Sequence, residues 1–218
     1  MKTSNESPLV ARALARLREE GLAGLWLRTL RWLGVYRRYV LAGGPDEGRS
    51  QPCDVPVACA RLEAHEIEEY LKFRPEQDRA TILRRFDEDD WCFVGRCDGR
   101  IAVAIWIARD SVWLEFLSCR ILLAERAFYL YDLFVVPEHR GNRVAGPVLE
   151  FRIAAMREAG YDRKVILNEP ENPAALRRSV HHGNTVIAWL SCLQLGPWRR
   201  LRLHSVGDDA EPWVRLAD

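Results

Sequence analysis

Hydrophobic residues are spaced differently at the start of the chain and in the rest of it. From residue 8 to residue 41, Leu, Trp and Val recur at helical spacing among seven arginines and only two acidic residues, which is typical of a basic amphipathic helix. Residues 42–52 are rich in Gly, Pro and polar side chains, as linkers are. We therefore divide the chain into a helical extension with its linker, residues 1–50, and a domain that covers residues 51–218.

Beyond residue 51, apolar runs of strand length alternate with segments of helical periodicity. Asp98-Gly99 joins two β-rich runs and predicts a hairpin, and Gly196-Pro197 marks a second, closing hairpin. The predicted strands cover 55–62, 91–97, 100–108, 128–136, 162–168, 185–195 and 198–206, and the predicted helices cover 63–73, 76–86, 142–159 and 172–183. Residues 111–127 fit either a short strand or a loop. The order predicts an α+β or mixed α/β fold, with a mostly antiparallel sheet, one strand–helix–strand crossover and helices on both faces.

Composition and charge narrow the class of protein. The 218 residues are 48% hydrophobic and 29% charged, and the formal net charge is +1, so the chain lacks the basic excess of a nucleic-acid-binding protein. No secretory signal is visible, and the longest uncharged run, residues 184–198, is too short to span a bilayer. The six cysteines show no metal-type pairing and are typical of reduced thiols. We expect a cytoplasmic protein that binds neither metal nor nucleic acid.

One strand-to-helix turn carries the strongest chemical signal. It lies in VVPEHRGNRVAGPVLEF, residues 135–151. A helix N-terminus presents about four free N–H groups and a partial positive charge, and Gly141 lets a ligand approach the main chain. Arg140 and Arg143 add donors that suit phosphoryl oxygens. The combination predicts a phosphate-binding loop, although Arg-Gly turns also occur without a ligand.

This stretch resembles the acetyl-coenzyme A binding motif of the GNAT N-acetyltransferase superfamily. That motif reads strand, Pro, two residues, Arg-Gly-x-Gly-x-Gly/Ala and helix, which is similar to DLFVVPEHRGNRVAGPVLEF, residues 132–151. Downstream, NPAALRRSVHHG resembles the second family motif, since Asn172, Ala175 and Gly183 have its spacing. The resemblance covers about residues 55–206, extends to the order of the elements, and implies the GNAT fold.

The resemblance implies a role for each matching position, with acetyl-CoA as the acyl donor and no metal. Backbone groups of the strand would pair with the pantetheine arm, at Leu133, Phe134 and Val135. Main-chain amides of the loop would cradle the pyrophosphate, at Arg140, Gly141, Asn142, Arg143, Val144 and Ala145. Asn172 and its helix would lie beside the cofactor arm. An amine would attack the thioester where the two parallel strands splay, and backbone N–H groups would stabilise the oxyanion.

Three positions depart from the family pattern. Arg143 replaces the middle glycine of the loop, where its side chain would either crowd the pyrophosphate or reach over it. We favour binding, because arginine matches phosphate geometry. Pro147 removes a donor and is tolerated only in or near the first turn of the helix. Ser179 stands where many members have the Tyr that protonates the leaving thiolate, so the general acid is not identified.

Asp132 is our candidate for the general base. It interrupts an apolar strand one residue before the cofactor-binding backbone, where a carboxylate is costly unless it is used or paired. The alternative is a structural carboxylate, paired with an arginine or a backbone donor. Strict alternation directs Tyr129 and Tyr131 to the opposite face of the strand, and Glu115 is the second candidate for the base.

Three functions remain open at this point. The first is transfer of an acetyl group from acetyl-CoA to a primary amine of a small molecule or amino sugar. The second is transfer of a longer acyl chain, for which the apolar residues of 111–136 would line a channel. The third is a non-catalytic acyl-CoA-binding module. The basic segment 8–41 fits contact with an anionic membrane surface at the inner face of the membrane, or packing on the domain, or formation of a homodimer.

Overall fold

The computed structural model describes residues 29–30, 32–47, 53–169, 183–206 and 213–217. The strands are β1 Tyr36–Pro45, β2 Ala58–Arg61, β3 Trp91–Cys97, β4 Arg100–Arg109, β5 Ser111–Leu114, β6 Cys119–Leu123, β7 Ala127–Val135, β8 Arg163–Asn168, β9 Thr185–Leu195, β10 Trp198–Ser205 and β11 Val214–Leu216. The helices are α1 Ile67–Phe73, α2 Arg79–Asp87 and α3 Ala145–Glu158, with 3-10 turns at Ala64–Glu66, Glu115–Leu117 and Pro137–His139. Residues 8–28 lie outside the described residues, and so does the helix predicted over 172–183, except for its last residue, Gly183.

The chain divides into two compact units, one of residues 39–189 and 203–218 and the other of residues 1–38 and 190–202. Among the described residues of the smaller unit, the Gln194 N–H donates to the Val35 carbonyl over 2.8 Å. The chain reverses at Gly196, which has a φ of +58°. β9 and β10 flank this turn, so the closing hairpin is confirmed.

The larger unit is built on a mixed sheet. The strand order is β10–β9–β1–β8–β7–β4–β3–β2, to which β1, β9 and β10 contribute residues 39–45, 185–189 and 203–205 in this unit. β7 and β8 run parallel and are joined through α3. The pairs β1–β8, β4–β7, β3–β4 and β2–β3 are antiparallel. The predicted fold class, a mostly antiparallel sheet with one crossover, is confirmed.

β1 corrects the prediction for residues 36–45. We expected the end of an amphipathic helix and the start of a linker, but β1 pairs with β8 in antiparallel register. A Cβ on Gly43 would lie 2.9 Å from the side chains of Ile187 and Trp213. Gly43 therefore allows close packing and does not mark a flexible linker. The extension assigned to residues 1–50 thus contains a strand of the sheet.

α3 covers one face of the sheet. Its residues Val148 and Met156 belong to a buried cluster with Phe93, Ile105 and Phe128 of the strands. Packing on this face holds the N-terminus of α3 beside the end of β7, from which the chain enters the helix.

α1 and α2 cover the opposite face. Trp106 follows Ile105 along β4 and so points to the other side, where it packs with Tyr70 of α1 and Ile82 of α2. The buried Trp106 indole N–H donates to Tyr70 Oη over 2.8 Å, which satisfies a donor that would otherwise be costly to bury. Helices on both faces were predicted and are confirmed.

The sequence of residues 111–127 fitted either a short strand or a loop, and the structure has two strands, β5 and β6, in this segment. β5 and β6 form an antiparallel hairpin, and β11 pairs with β6 to complete a second sheet in the order β11–β6–β5. β11 was not predicted. The turn between β5 and β6 approaches α2, since Glu115 forms an ion pair with Arg84.

Candidate active site

β7 and β8 separate after a short stretch of parallel pairing. Residues 127–129 pair with residues 163–165, and among the described residues no further pair joins the two strands. β8 continues along β1, whereas residues 130–135 of β7 lie against β4 alone. We call this gap the β7–β8 opening. It leaves one side of β7 free for an extended ligand, and the strand here includes the predicted cofactor-binding residues Leu133, Phe134 and Val135.

A β-bulge lies in β7 beside the opening. Trp106 of β4 is opposite Tyr131, and Ala104 is opposite Phe134, so β7 has one more residue than β4 in this stretch. Asp132, within the bulge, has a φ of +50°, which is uncommon for a residue other than glycine. Bulges re-aim side chains and are frequent next to active sites.

The bulge makes the prediction of strict alternation wrong. The Arg85 guanidinium lies 5.0 Å from the centroid of the Tyr131 ring and also donates to Asp132 Oδ2 over 2.8 Å. The two neighbouring side chains therefore meet the same arginine of α2, although alternation would separate them. The Tyr129 ring stacks on the Tyr131 ring with centroids 5.8 Å apart. Tyr129 therefore lies on the same face of β7 as Tyr131 and Asp132.

Asp132, the predicted general base, is held by two arginines. Arg74 donates to its Oδ1 over 2.9 Å and Arg85 to its Oδ2 over 2.8 Å, and all three side chains are largely buried. Both carboxylate oxygens are thus engaged by cations, as in the structural alternative. The role of Asp132 as a base stays a prediction, and the geometry favours a role in holding β7 to α1 and α2.

The loop of residues 140–144 connects β7 to α3. Within the described residues, the N–H groups of Gly141, Arg143 and Val144 donate to no backbone carbonyl. α3 begins at Ala145, three residues later than predicted. At the start of the helix, the Gly146 N–H donates to the Arg143 carbonyl and Pro147 has no N–H, so the free donors at this end come mainly from the loop. Free donors are therefore gathered at the positive end of α3, an arrangement that suits an anionic group such as a diphosphate.

Two residues in the left-handed region shape this loop. Gly141 has a φ of +90°, and a Cβ there would meet no atom within 4 Å, so the space beside its main chain is open. Arg143 has a φ of +59°, which costs a residue with a side chain about 1 kcal/mol or more. Arg143 occupies the position of the motif's middle glycine, so the loop keeps a glycine-like backbone shape in spite of the substitution.

Neighbouring contacts hold the loop in place. Arg140 Nε donates to the Val135 carbonyl over 3.1 Å, and Cys53 Sγ donates to the Asn142 carbonyl over 3.4 Å. Pro147 is the third residue of α3, in the first turn, where its missing N–H would have had no intrahelical partner. Its predicted placement is confirmed.

Asp90 is a buried acid that the sequence analysis missed. It is 6% exposed, and its Oδ2 accepts a hydrogen bond from the Tyr131 hydroxyl over 2.6 Å. Burial raises the pKa of Asp90 to about 7, although the hydrogen bond from Tyr131 acts in the opposite direction. Asp90 ends the acidic run of residues 87–90, which resembles an exposed loop. The sequence did carry one signal that Asp90 is buried, because Asp90 comes directly before Trp91, the first residue of a buried strand.

Asp90 lines a cavity of about 230 Å³ that we call the α2 cavity. Its other lining residues are Arg84, Arg85, Glu88, Val112, Trp113, Leu114, Glu115, Phe116, Tyr129 and Tyr131. Glu115, the second candidate for the base, lies at this cavity but is ion-paired with Arg84 and more than half exposed. The cavity therefore combines carboxylates with aromatic walls, on the face of the sheet that α1 and α2 cover.

The second family motif is not part of this geometry. Asn172, which was predicted to lie beside the cofactor arm, and Ser179 fall outside the described residues. In the described part of the chain, no three His, Cys, Asp or Glu side chains are grouped as metal ligands would be. No helix there is long and apolar enough to cross a membrane.

The family of the chain follows from comparison with known proteins. A family model described as the acetyltransferase (GNAT) family matches residues 59–178, more than half of the chain. The chain therefore belongs to the GNAT acetyltransferase family, a family of enzymes that use acetyl-CoA, and the resemblance noted in the sequence is confirmed. No curated protein matches the chain.

Several solved structures are similar to the chain. A GNAT-family protein from Novosphingobium aromaticivorans is 15% identical over 79% of this chain and 66% of its own, with a TM-score of 0.49. An aminoglycoside acetyltransferase from an uncultured soil metagenomic sample, in complex with trehalose, is 12% identical over 58% and 86%, with a TM-score of 0.41. Glucosamine-6-phosphate N-acetyltransferase from Arabidopsis thaliana is 16% identical over 57% and 90%, with a TM-score of 0.38. The chain spans about two thirds of the first of these structures.

Proposed function

We propose that the protein transfers an acetyl group from acetyl-CoA to a primary amine of a small molecule or an amino sugar, by direct attack of the amine on the thioester. The observation that carries the proposal is that the unpaired part of β7 is followed directly by the 140–144 loop with its free N–H groups. The opening offers an unpaired strand edge to the pantetheine arm, and the loop offers free N–H groups to the diphosphate.

Each predicted cofactor-binding residue has a place in this proposal. Main-chain groups of Leu133, Phe134 and Val135 bind the pantetheine arm as an added strand. The loop binds the diphosphate through Arg140, Gly141, Asn142, Arg143, Val144 and Ala145. Asn172, outside the described residues, keeps the role that the family resemblance implies, which is to bind the cofactor arm. Main-chain N–H groups at the bulge stabilise the oxyanion that forms when the amine attacks.

A buried amide near the opening supports a polar ligand there. Asn168 closes β8, three residues beyond the last pair with β7. It is 9% exposed, and its Nδ2 has no hydrogen-bond partner among the described residues. Unpaired buried donors are rare in proteins and often mark a place where a ligand binds.

The chemistry of the α2 cavity favours acetyl over a longer acyl chain. We considered a channel lined by the apolar residues of 111–136, but the cavity that borders this segment is also lined by Arg84, Arg85, Glu88 and Asp90. Burying a long hydrocarbon chain against these groups would be unfavourable. The carboxylates among these groups suit a polar, cationic acceptor, which also favours an enzyme over a module that only binds acyl-CoA.

The proposal is tested by coenzyme A release with acetyl-CoA and a panel of primary amines, with decanoyl-CoA as the alternative donor. We expect turnover with acetyl-CoA and at least one amine, and no turnover with decanoyl-CoA. Faster turnover with decanoyl-CoA would contradict the choice of donor. Binding of acetyl-CoA without turnover of any amine in the panel would contradict the enzymatic function.

A further inference from the structure

We infer that Asp90 binds the ammonium group of the acceptor in the α2 cavity and accepts its proton, with Tyr131 as the positioning residue. This inference rests on the proposed function, since it names the acceptor-binding group of the same site. It differs from the role proposed for Asp132, which lies on the strand itself.

The ion pairs around the α2 cavity single out Asp90. Glu88 pairs with Arg120 over 3.0 Å, and Glu115 pairs with Arg84. Asp132 pairs with two arginines. Asp90, by contrast, forms no ion pair within the described residues, although it is the most buried of these acids.

A buried carboxylate without a cationic partner is unfavourable unless a ligand supplies the charge. The groups that face Asp90 are Tyr131 of β7, Arg85 of α2, Glu88 after α2, and Arg109 of β4. Both arginines already have acidic partners, since Arg85 pairs with Asp132 and Arg109 with Asp89. A protonated amine in the cavity would supply the missing cation.

Tyr131 links this carboxylate to the β7–β8 opening. It is the last residue of β7 before the bulge, and its hydroxyl donates to Asp90 Oδ2. Asp90 is therefore separated from the main chain of the opening by the length of one tyrosine side chain. Because Tyr129 and Tyr131 of β7 both line the α2 cavity at the start of the opening, we place the path of the deprotonated amine from Asp90 to the thioester along these two side chains.

The aromatic walls define the acceptor further. Trp113 is 37% exposed and Phe116 is 47% exposed, and both line the α2 cavity with Tyr129 and Tyr131. Aromatic faces attract ammonium groups and pack against apolar ring faces. The acceptor class that fits is a primary amine attached to a ring or a flat apolar face, and an amino sugar is one member of this class.

The ammonium group gives one proton to the Asp90 carboxylate, and the neutral nitrogen attacks the carbonyl carbon of the thioester. The C–N bond forms, the C–S bond breaks, and the sulfur leaves with the bonding electron pair. The second proton on nitrogen passes to this thiolate, so that the products are the amide and coenzyme A, and Asp90 releases its proton to solvent.

The test compares Asp90→Asn with the matched variant Asp87→Asn, which changes an exposed acid of the same acidic run that does not line the α2 cavity. Turnover and pH profiles are measured with an amine found in the panel, and acetyl-CoA affinity is measured by calorimetry. We expect Asp90→Asn to lower kcat roughly 100-fold or more, to abolish the fall in rate below pH 7, and to leave acetyl-CoA affinity unchanged. Asp87→Asn should change kcat less than about threefold, because the charge of an exposed side chain is screened by solvent and salt.

Tyr131→Phe provides a second variant that keeps the carboxylate. Since the hydroxyl hydrogen bond lowers the pKa of Asp90, its removal should move the acidic limb of the pH profile to higher pH. An unchanged profile in both Asp90→Asn and Tyr131→Phe would overturn the inference while wild-type turnover upholds the proposed function. Failure of the wild-type protein to bind acetyl-CoA would overturn the proposed function itself.

Discussion

The two sides of the site are built from different parts of the polypeptide. The proposed donor side, the β7–β8 opening with the 140–144 loop, comes from one continuous stretch and presents mainly main-chain groups. The proposed acceptor side, the α2 cavity, is assembled from side chains of α2, the segment between α2 and β3, the β5–β6 hairpin and β7. Binding of a ligand on the donor side therefore depends on the shape of the backbone, whereas binding on the acceptor side depends on individual charged side chains.

The largest effect on stability that we expect is that of removing Asp132, the acid that pairs with Arg74 and Arg85. Asp132→Ala leaves Arg74 and Arg85 buried without their common partner, and breaking a buried ion pair in this way costs about 3–5 kcal/mol. The free energy of unfolding, measured by urea denaturation, should fall by that amount. The exposed Asp54 offers a control, since Asp54→Ala should change it by less than about 0.5 kcal/mol. A loss below about 1 kcal/mol in Asp132→Ala would show that the arginines do not depend on this carboxylate.

The second effect is the dependence of stability on pH, which separates Asp90 from the other acids of the cavity. Its pKa is raised in the folded protein to about 7 from 3.8, so the folded state binds more protons than the unfolded state between these values. This contribution makes stability fall as pH rises from about 4 to about 7, by at most about 1.4 kcal/mol per pH unit. Asp90→Asn removes the contribution.

The measurement is the melting temperature of wild type and Asp90→Asn at half-unit steps across that window. The difference between the two proteins should change steadily in favour of the variant as pH rises, and should level off above pH 7. A constant difference across the window would contradict the raised pKa.

The smallest effect on stability that we expect concerns the backbone conformation of Arg143 in the 140–144 loop. Arg143→Gly removes the cost of a left-handed side-chain-bearing residue, and Arg143→Ala keeps it. We expect the Gly variant to be more stable than the Ala variant by about 1 kcal/mol, measured by thermal or urea unfolding. Both variants lose the guanidinium, so their acetyl-CoA affinities should fall equally. Equal stabilities would show that the φ of Arg143 is not costly.

Local patterns made much of the fold and the donor side predictable. The Asp98-Gly99 turn, the crossover and Pro147 in the first turn of α3 depend on residues close together in sequence. The loop at Gly141 was identified because its chemistry lies in a few consecutive residues. The assignment of cofactor-binding roles within it stays a prediction.

Long-range contacts explain what the sequence did not reveal. Gly43 is required by the approach of Ile187 and Trp213, far along the chain, so β1 was mistaken for a helix end and a linker. The bulge at Asp132 breaks the alternation that places side chains on a strand. Asp90 acquires its properties only when Tyr131 and the surrounding elements bury it, and an acidic run alone does not show this.

The central claim is that main-chain groups around Gly141 bind the diphosphate of acetyl-CoA. Gly160, at the other end of α3, has a φ of +89° against +90° for Gly141, and a Cβ at either glycine meets no atom within 4 Å. Glutamate substitutions at these two positions therefore impose the same backbone strain, and calorimetric titration with acetyl-CoA separates strain from binding. The account predicts that Gly141→Glu weakens affinity at least about 100-fold, because a carboxylate then faces the diphosphate, while Gly160→Glu binds as wild type does. Equal affinities in the two variants would contradict it.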